Sequence, residues 1–146
     1  MRYKAASRPA DYQMRITVAP VFEHETLGPA APQNFNEAPI PRDRLEAMEL
    51  AVNLFGGGPR SKVWFSIDGG PAAAMTRSAR VDALVGKLSL RIRDRNVFWA
   101  PLRDSTHIWA APLPRGLAPG VHRITIRAVD EYGQEHESAK LIEIAR

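Results

Sequence analysis

Residues 53–75 read "NLFGGGPRSKVWFSIDGGPAAAM", with glycine clusters at Gly56-Gly57-Gly58 and at Gly69-Gly70. A glycine-rich loop grips phosphate best where it opens a helix, because the free backbone N–H groups and the helix dipole then point at the anion. Neither cluster has that context. The first runs into "SKVWFSID", where Val63, Phe65 and Ile67 alternate with Lys62, Trp64, Ser66 and Asp68. Period-two alternation of β-branched and aromatic residues is the signature of a strand. The second cluster follows Asp68, and Asp-Gly is a hairpin turn signal because glycine reaches positive φ without steric cost. "AAAM" then returns as the second arm of that hairpin. Both clusters are read as turns between strands.

The same alternation extends in both directions. Upstream, Met48, Leu50, Val52 and Leu54 share one face of "AMELAVNLF", opposite Glu49, Ala51 and Asn53. Leu, Glu, Ala and Met also favour helix, but the alternation and the Gly-Gly-Gly-Pro that follows favour a strand. Before it, "VFEHETLGPAAPQNFNEAPIPRDR" (Val21 to Arg44) is proline-dense and shows neither period, as expected of an extended connection. "QMRITVAP" is a short strand with Met14, Ile16 and Val18 on one face, ended by Pro20, and these apolar residues must join the sheets or contact another chain. The expected organisation is an arm and connection over 1–44 and a strand-built domain over 45–146.

Downstream, "KLSLRIRD" alternates as an edge strand with outward arginines, "NVFWAPLRDS" is a loop with aromatic anchors, and "THIWAAPL" is a strand. After a Pro119-Gly120 turn comes a strand with Val121, Arg123, Thr125, Arg127 and Val129 on one face, opposed by His122, Ile124, Ile126 and Ala128. A turn over Asp130 to Gly133 precedes a last strand with Ala139, Leu141 and Glu143 opposite Ile142 and Ile144. About seven short strands separated by turn residues predict an all-β fold of two packed antiparallel sheets.

Composition is compatible with one such domain. The chain has 146 residues, 45% hydrophobic and 25% charged, and no cysteine, which excludes disulfides and thiolate metal sites. No apolar run is long enough for a membrane-spanning helix, and the N-terminus has no apolar signal core; compartment is not legible. The net charge of +4 is spread along the chain. Its densest group, Arg91, Arg93, Arg95 and Arg103, is interrupted by Asp94 and Asp104 and reads as a solvated strand face, so no nucleic-acid partner is expected.

The order of these features resembles the C-terminal domain that follows the catalytic domain in certain bacterial calcineurin-like metallophosphoesterases. It rests on Asn53 to Phe55, Ser61-Lys62-Val63, Ile67-Asp68-Gly69-Gly70 and Met75. Further on it rests on His107-Ile108-Trp109, Leu113-Pro114, Leu117-Ala118-Pro119-Gly120 and Asp130-Glu131-Tyr132-Gly133. "RYKAASRPADYQMRI" looks like the segment leading from the phosphoesterase into that domain, while Thr76 to Arg103 departs from the pattern. The resemblance implies an immunoglobulin-like β-sandwich, a non-catalytic accessory role, and the catalytic domain of the same parent chain as partner. An excised domain of this kind exposes its docking face, which allows a homodimer.

The residues offer little chemistry of their own. A dinuclear site needs clustered Asp, His and Asn ligands around two metals. The family's catalytic signatures (Asp-x-His, Gly-Asp-x-x-Asp, Gly-Asn-His-Asp/Glu and Gly-His-x-His) do not occur here, so neither catalytic nor metal residues are assigned and no cofactor is expected. A triad of Ser105, His107 and Asp130 lacks any nucleophile elbow. His24 and His136 are expected at the surface, and His107 and His122 as hydrogen-bonded strand histidines. Of the tryptophans, Trp64 or Trp109 is expected to pin the sheets together. Trp99, Phe98, Tyr132 and Arg103 are the candidate contact residues. They also leave open an alternative, an independent carbohydrate- or protein-binding module.

Overall fold

The computed structural model describes residues 11–20, 39–86, 88 and 103–146. Among these, the strands are β1 (Met14–Pro20), β2 (Met48–Leu54), β3 (Lys62–Ile67), β4 (Ala73–Ala74), β5 (Thr76–Arg77), β6 (Ile108–Pro112), β7 (Gly120–Val129) and β8 (Glu135–Ile144). They form two four-stranded sheets, in the orders β1-β2-β6-β5 and β4-β3-β7-β8, with every named pair antiparallel. The all-β, two-sheet reading holds. Eight strands are found where about seven were expected, and two of the eight are only two residues long.

Alternation in the sequence becomes inside and outside in the structure. Leu50, Val52 and Leu54 of β2 meet Ile124 and Ile126 of β7 and Ile142 and Ile144 of β8 in one core. β2 is a strand as expected, preceded by a 3-10 helix over Arg42–Ala47 that buries Leu45. Met14 and Val18 of β1 are buried, and β1 pairs with β2 along its whole length, so these apolar residues do join the sandwich. At the other edge, Ile40 bonds into the end of β8 (Ile40 N–H to Glu143 O, 2.7 Å; Ala145 N–H to Ile40 O, 2.9 Å).

The chain crosses between the sheets where its turn residues allow. β2 passes to β3 through Phe55–Ser61, and β4 passes back to β5 through the buried Met75 alone. Asp68 and Gly69 have φ of 51° and 73°, and Gly70 N–H bonds Ile67 O at 2.9 Å. Positive φ at both central residues is the geometry of a type I′ hairpin turn, which Asp-Gly favours.

The outer faces of the two sheets differ. Over the first sheet lies the segment that starts at Arg80, with Val81 and Asp82 buried. Asp82 Oδ2 accepts from Arg15 at 2.9 Å and from Asn53 at 2.6 Å. Its Oδ1 accepts from Leu84 and Val85 N–H, capping the helical turn that begins at Ala83. Burial pushes this carboxyl up, but the Asn53 bond, the Arg15 charge and the other donors outweigh it and hold it below the usual range. Leu88 is helical rather than part of the expected edge strand, because Asp82 starts a helix just before it; the other residues of "KLSLRIRD" (87 and 89–94) lie outside the described residues. The second sheet shows Trp64, Arg127 and Glu137 on its open outer face.

Trp109 is the largest fully buried side chain, filling the role expected of a sheet-pinning tryptophan. A Cβ on Gly57 would lie 2.6 Å from its indole and 2.9 Å from Leu54 O, whereas one on Gly56 would meet nothing within 4 Å. Neither glycine has positive φ, so the two positions isolate the packing requirement. Overpacking of this kind costs about 1–3 kcal/mol. Gly57→Ala is therefore expected to lower the urea midpoint by that amount of stability, and Gly56→Ala to stay within about 0.5 kcal/mol of the parent.

Candidate interface at the glycine-loop end

One end of the sandwich is knitted together by the first glycine cluster. Gly57 N–H bonds Leu54 O at 2.9 Å, and Gly58 and Ser61 close the turn reciprocally, Gly58 N–H to Ser61 Oγ at 2.9 Å and Ser61 N–H to Gly58 O at 3.0 Å. Three other segments meet this loop. Phe55 N–H donates to Gln13 O at 3.0 Å, and the Tyr12 and Phe55 rings sit 5.4 Å apart, with the Arg15 guanidinium 5.8 Å from the Phe55 centroid. His107 Nδ1 donates to Gly57 O at 2.6 Å. From the β7–β8 turn, Glu131 reaches in.

The Glu131 carboxylate packs against the loop and is held by Arg60. Its Oε2 accepts Arg60 N–H at 2.9 Å and its Oε1 accepts Arg60 Nε at 3.2 Å. A Cβ on Gly58 would lie 2.5 Å from that carboxylate. Desolvation pushes Glu131 up, yet the Arg60 N–H, its guanidinium and the Ser61 N–H together hold it below the usual carboxylate range. The loop does hold an anion, and the anion belongs to the chain itself.

The turn carrying Glu131 is built on Asp130. This buried carboxylate accepts Tyr132 and Gln134 N–H on Oδ1, at 2.8 and 2.9 Å, and His136 Nε2 on Oδ2 at 2.9 Å. Burial raises its pKa, but His136 and the two backbone N–H groups prevail and lower it. Tyr132 is thereby presented to solvent with 78% of its surface exposed. His136, expected at the surface, is half-buried because Asp130 recruits it.

At the opposite end, His122 closes the first residues of β7 onto the Asp68-Gly69 turn. Its Nδ1 lies 2.6 Å from Asp68 Oδ2 and its Nε2 lies 2.7 Å from Ala118 O. Both partners are acceptors, so both ring nitrogens donate, which only the imidazolium form does. Asp68 also takes Arg123 N–H on Oδ1 at 2.8 Å.

His107, His122 and His136 are thus each committed to an acceptor in the protein. Among the described residues no group of three or more His, Asp or Glu is placed to hold a metal ion. No helix among them is long and apolar enough to cross a membrane. Compared with known families, residues 1–136 match the model described as the C terminal of calcineurin-like phosphoesterase. The chain belongs to that family. No curated protein and no solved structure matches it. The family is the region that accompanies a catalytic phosphoesterase domain, so this C-terminal domain is the non-catalytic part of such a protein.

Of the candidate contact residues, Tyr132 lies at the glycine-loop end. Arg103 is exposed two residues before Ser105, which is bridged to Arg80. Phe98 and Trp99 lie outside the described residues. Ser105, His107 and Asp130 do not form a triad: Asp130 holds His136, and His107 holds Gly57 O. The Arg60–Glu131 clamp went unread in the sequence because its partners are 71 positions apart.

The His122 cluster gives a pH signature for this phosphoesterase C-terminal domain. The Ala118 carbonyl, and then the Asp68 bond, raise His122 above its ordinary 6.5, while His122 and then Arg123 N–H lower Asp68 below 3.8. The histidine's contribution to stability is complete below 6.5 and is lost as pH rises through its raised value. On the acid side, the contribution of Asp68 is lost as pH falls through its lowered value. His122→Ala is expected to destabilise the domain more at about pH 5.5 than at about pH 9, as read by urea midpoints at the two pH values. NMR titration of the parent should place this imidazole above 6.5.

Proposed function

We propose that this domain packs on the catalytic domain of its phosphoesterase through the glycine-loop end, and that it helps shape access to the metal site there. Of the expected arm over 1–44, β1 belongs to the sandwich, so the residues ahead of it carry the chain in from the catalytic domain. The observation that carries this reading is the Gln13–Phe55 bond, which fastens the start of β1 to the glycine loop. A domain preceding residue 11 is then delivered to the same end as the Tyr12–Phe55 pair, the Arg60–Glu131 clamp and the exposed Tyr132. An exposed tyrosine beside half-buried aromatics and an arginine suits an interface between domains, since aromatic side chains bury much area at small entropic cost. Tyr132 is the contact residue of this end, and Arg103, Phe98 and Trp99 are further contacts on the segment before β6.

The chain alone, given manganese and a generic phosphodiester, is expected to show no turnover; metal-dependent hydrolysis by it would reject the accessory role. In the parent protein, hydrogen exchange is expected to slow at residues 12–13, 55–61 and 130–134 relative to the isolated chain. Slowing confined to β4, β5 or the 113–119 turn would reject this docking end while leaving the accessory role intact.

A further inference from the structure

On the outer face of the second sheet lies an open groove of about 550 Å³, lined by Trp64, Ala72, Arg127, Glu135 and Glu137 among others. Its size is in the range of small-ligand sites. Trp64 sits on this face because Val63 and Phe65, its neighbours in β3, turn toward the core. On the ladder it lies between Ala74 of β4 and Arg127 of β7, and Arg127 stands opposite Glu137 of β8. Trp64 is half-buried and contributes to the groove lining beside the polar side chains of β7 and β8.

Among those side chains Arg127 stands between two carboxylates. Arg127 NH2 lies 4.0 Å from Glu135 Oε2, and its Nε lies 4.0 Å from Glu137 Oε2. Both separations exceed hydrogen-bond distance. Donors and acceptors therefore stand side by side with capacity for a guest, at 67%, 77% and 65% side-chain exposure for Arg127, Glu135 and Glu137. Two carboxylates disfavour an anion and the guanidinium disfavours a cation. A neutral guest whose hydroxyls both donate and accept satisfies all three groups at once, and an apolar C–H face suits the indole. A sugar ring has both features.

We propose that this groove is a subsite for a neutral saccharide, with Trp64 as the stacking platform and Arg127, Glu135 and Glu137 as the hydroxyl partners. The proposal does not depend on which end of the sandwich meets the catalytic domain.

The test is a titration of the isotope-labelled 146-residue chain with short neutral oligosaccharides (β-linked glucose, xylose and N-acetylglucosamine, and α-linked glucose), followed by NMR. At least one series is expected to give saturable shifts confined to the Trp64 indole and the amides of rows 64, 127 and 137. Trp64→Ala is expected to weaken that binding at least about tenfold, which corresponds to about 1.4 kcal/mol. Arg127→Ala and Glu137→Gln, on the exposed face, should each weaken it severalfold with the amide spectrum otherwise unchanged. They keep the test decisive if the tryptophan variant does not fold. No response to any series, shifts outside the groove, affinity indifferent to Arg127→Ala and Glu137→Gln, or a groove response to a basic peptide alone would each overturn the proposal.

Discussion

The contact between Gly57 and the Trp109 indole is the constraint around which the domain is arranged. Trp109 is the second residue of β6 and is buried in the core between the sheets. Because its ring extends to the loop joining β2 to β3, that loop must carry a residue with no side chain at the point of contact. The crossing from one sheet to the other is therefore tied to the core, and the core to the crossing. His107, two residues before Trp109 in the chain, bonds the carbonyl of the same glycine, so one short loop is held from beneath by packing and from the side by a hydrogen bond.

From that loop the tethers spread outward. Phe55 fastens the entry to β1, and Arg60 fastens the turn between β7 and β8. Asp130 in turn fixes that turn from within, using both carboxylate oxygens. A buried carboxylate is tolerable there because three donors meet it. Asp82 uses the same device on the outer face of the first sheet, where Arg15, Asn53 and a helical turn share one side chain. In both places charge is buried only where local backbone N–H groups converge on it.

Much of this fold was legible in the chain. Alternation in β2, β3, β7 and β8 identified them as strands with two unlike faces, since successive side chains point to opposite sides of a sheet. Asp68-Gly69 announced its turn through its own backbone preference. Less of the site was legible, and the reason is distance along the chain. Glu131 and Gly58, or His107 and Gly57, are joined by tertiary geometry that no local pattern encodes. His136 was read as a surface residue because nothing beside it in sequence hints that Asp130 turns back to meet it. Leu88 shows the opposite difficulty: it alternates like a strand residue, but the capping aspartate Asp82 starts a helix ahead of it. Trp64 and Trp109 both occupy strands, and only register decided which of the two is internal.

The carboxylate held by the glycine loop has a consequence for what else the loop can bind. Glu131 takes up the Arg60 N–H and guanidinium from within the same polypeptide, and a tethered partner competes with a diffusing one at a high effective concentration. An anion from solution must displace that side chain before it can use these donors, so the loop is closed to free ligands while the clamp is made.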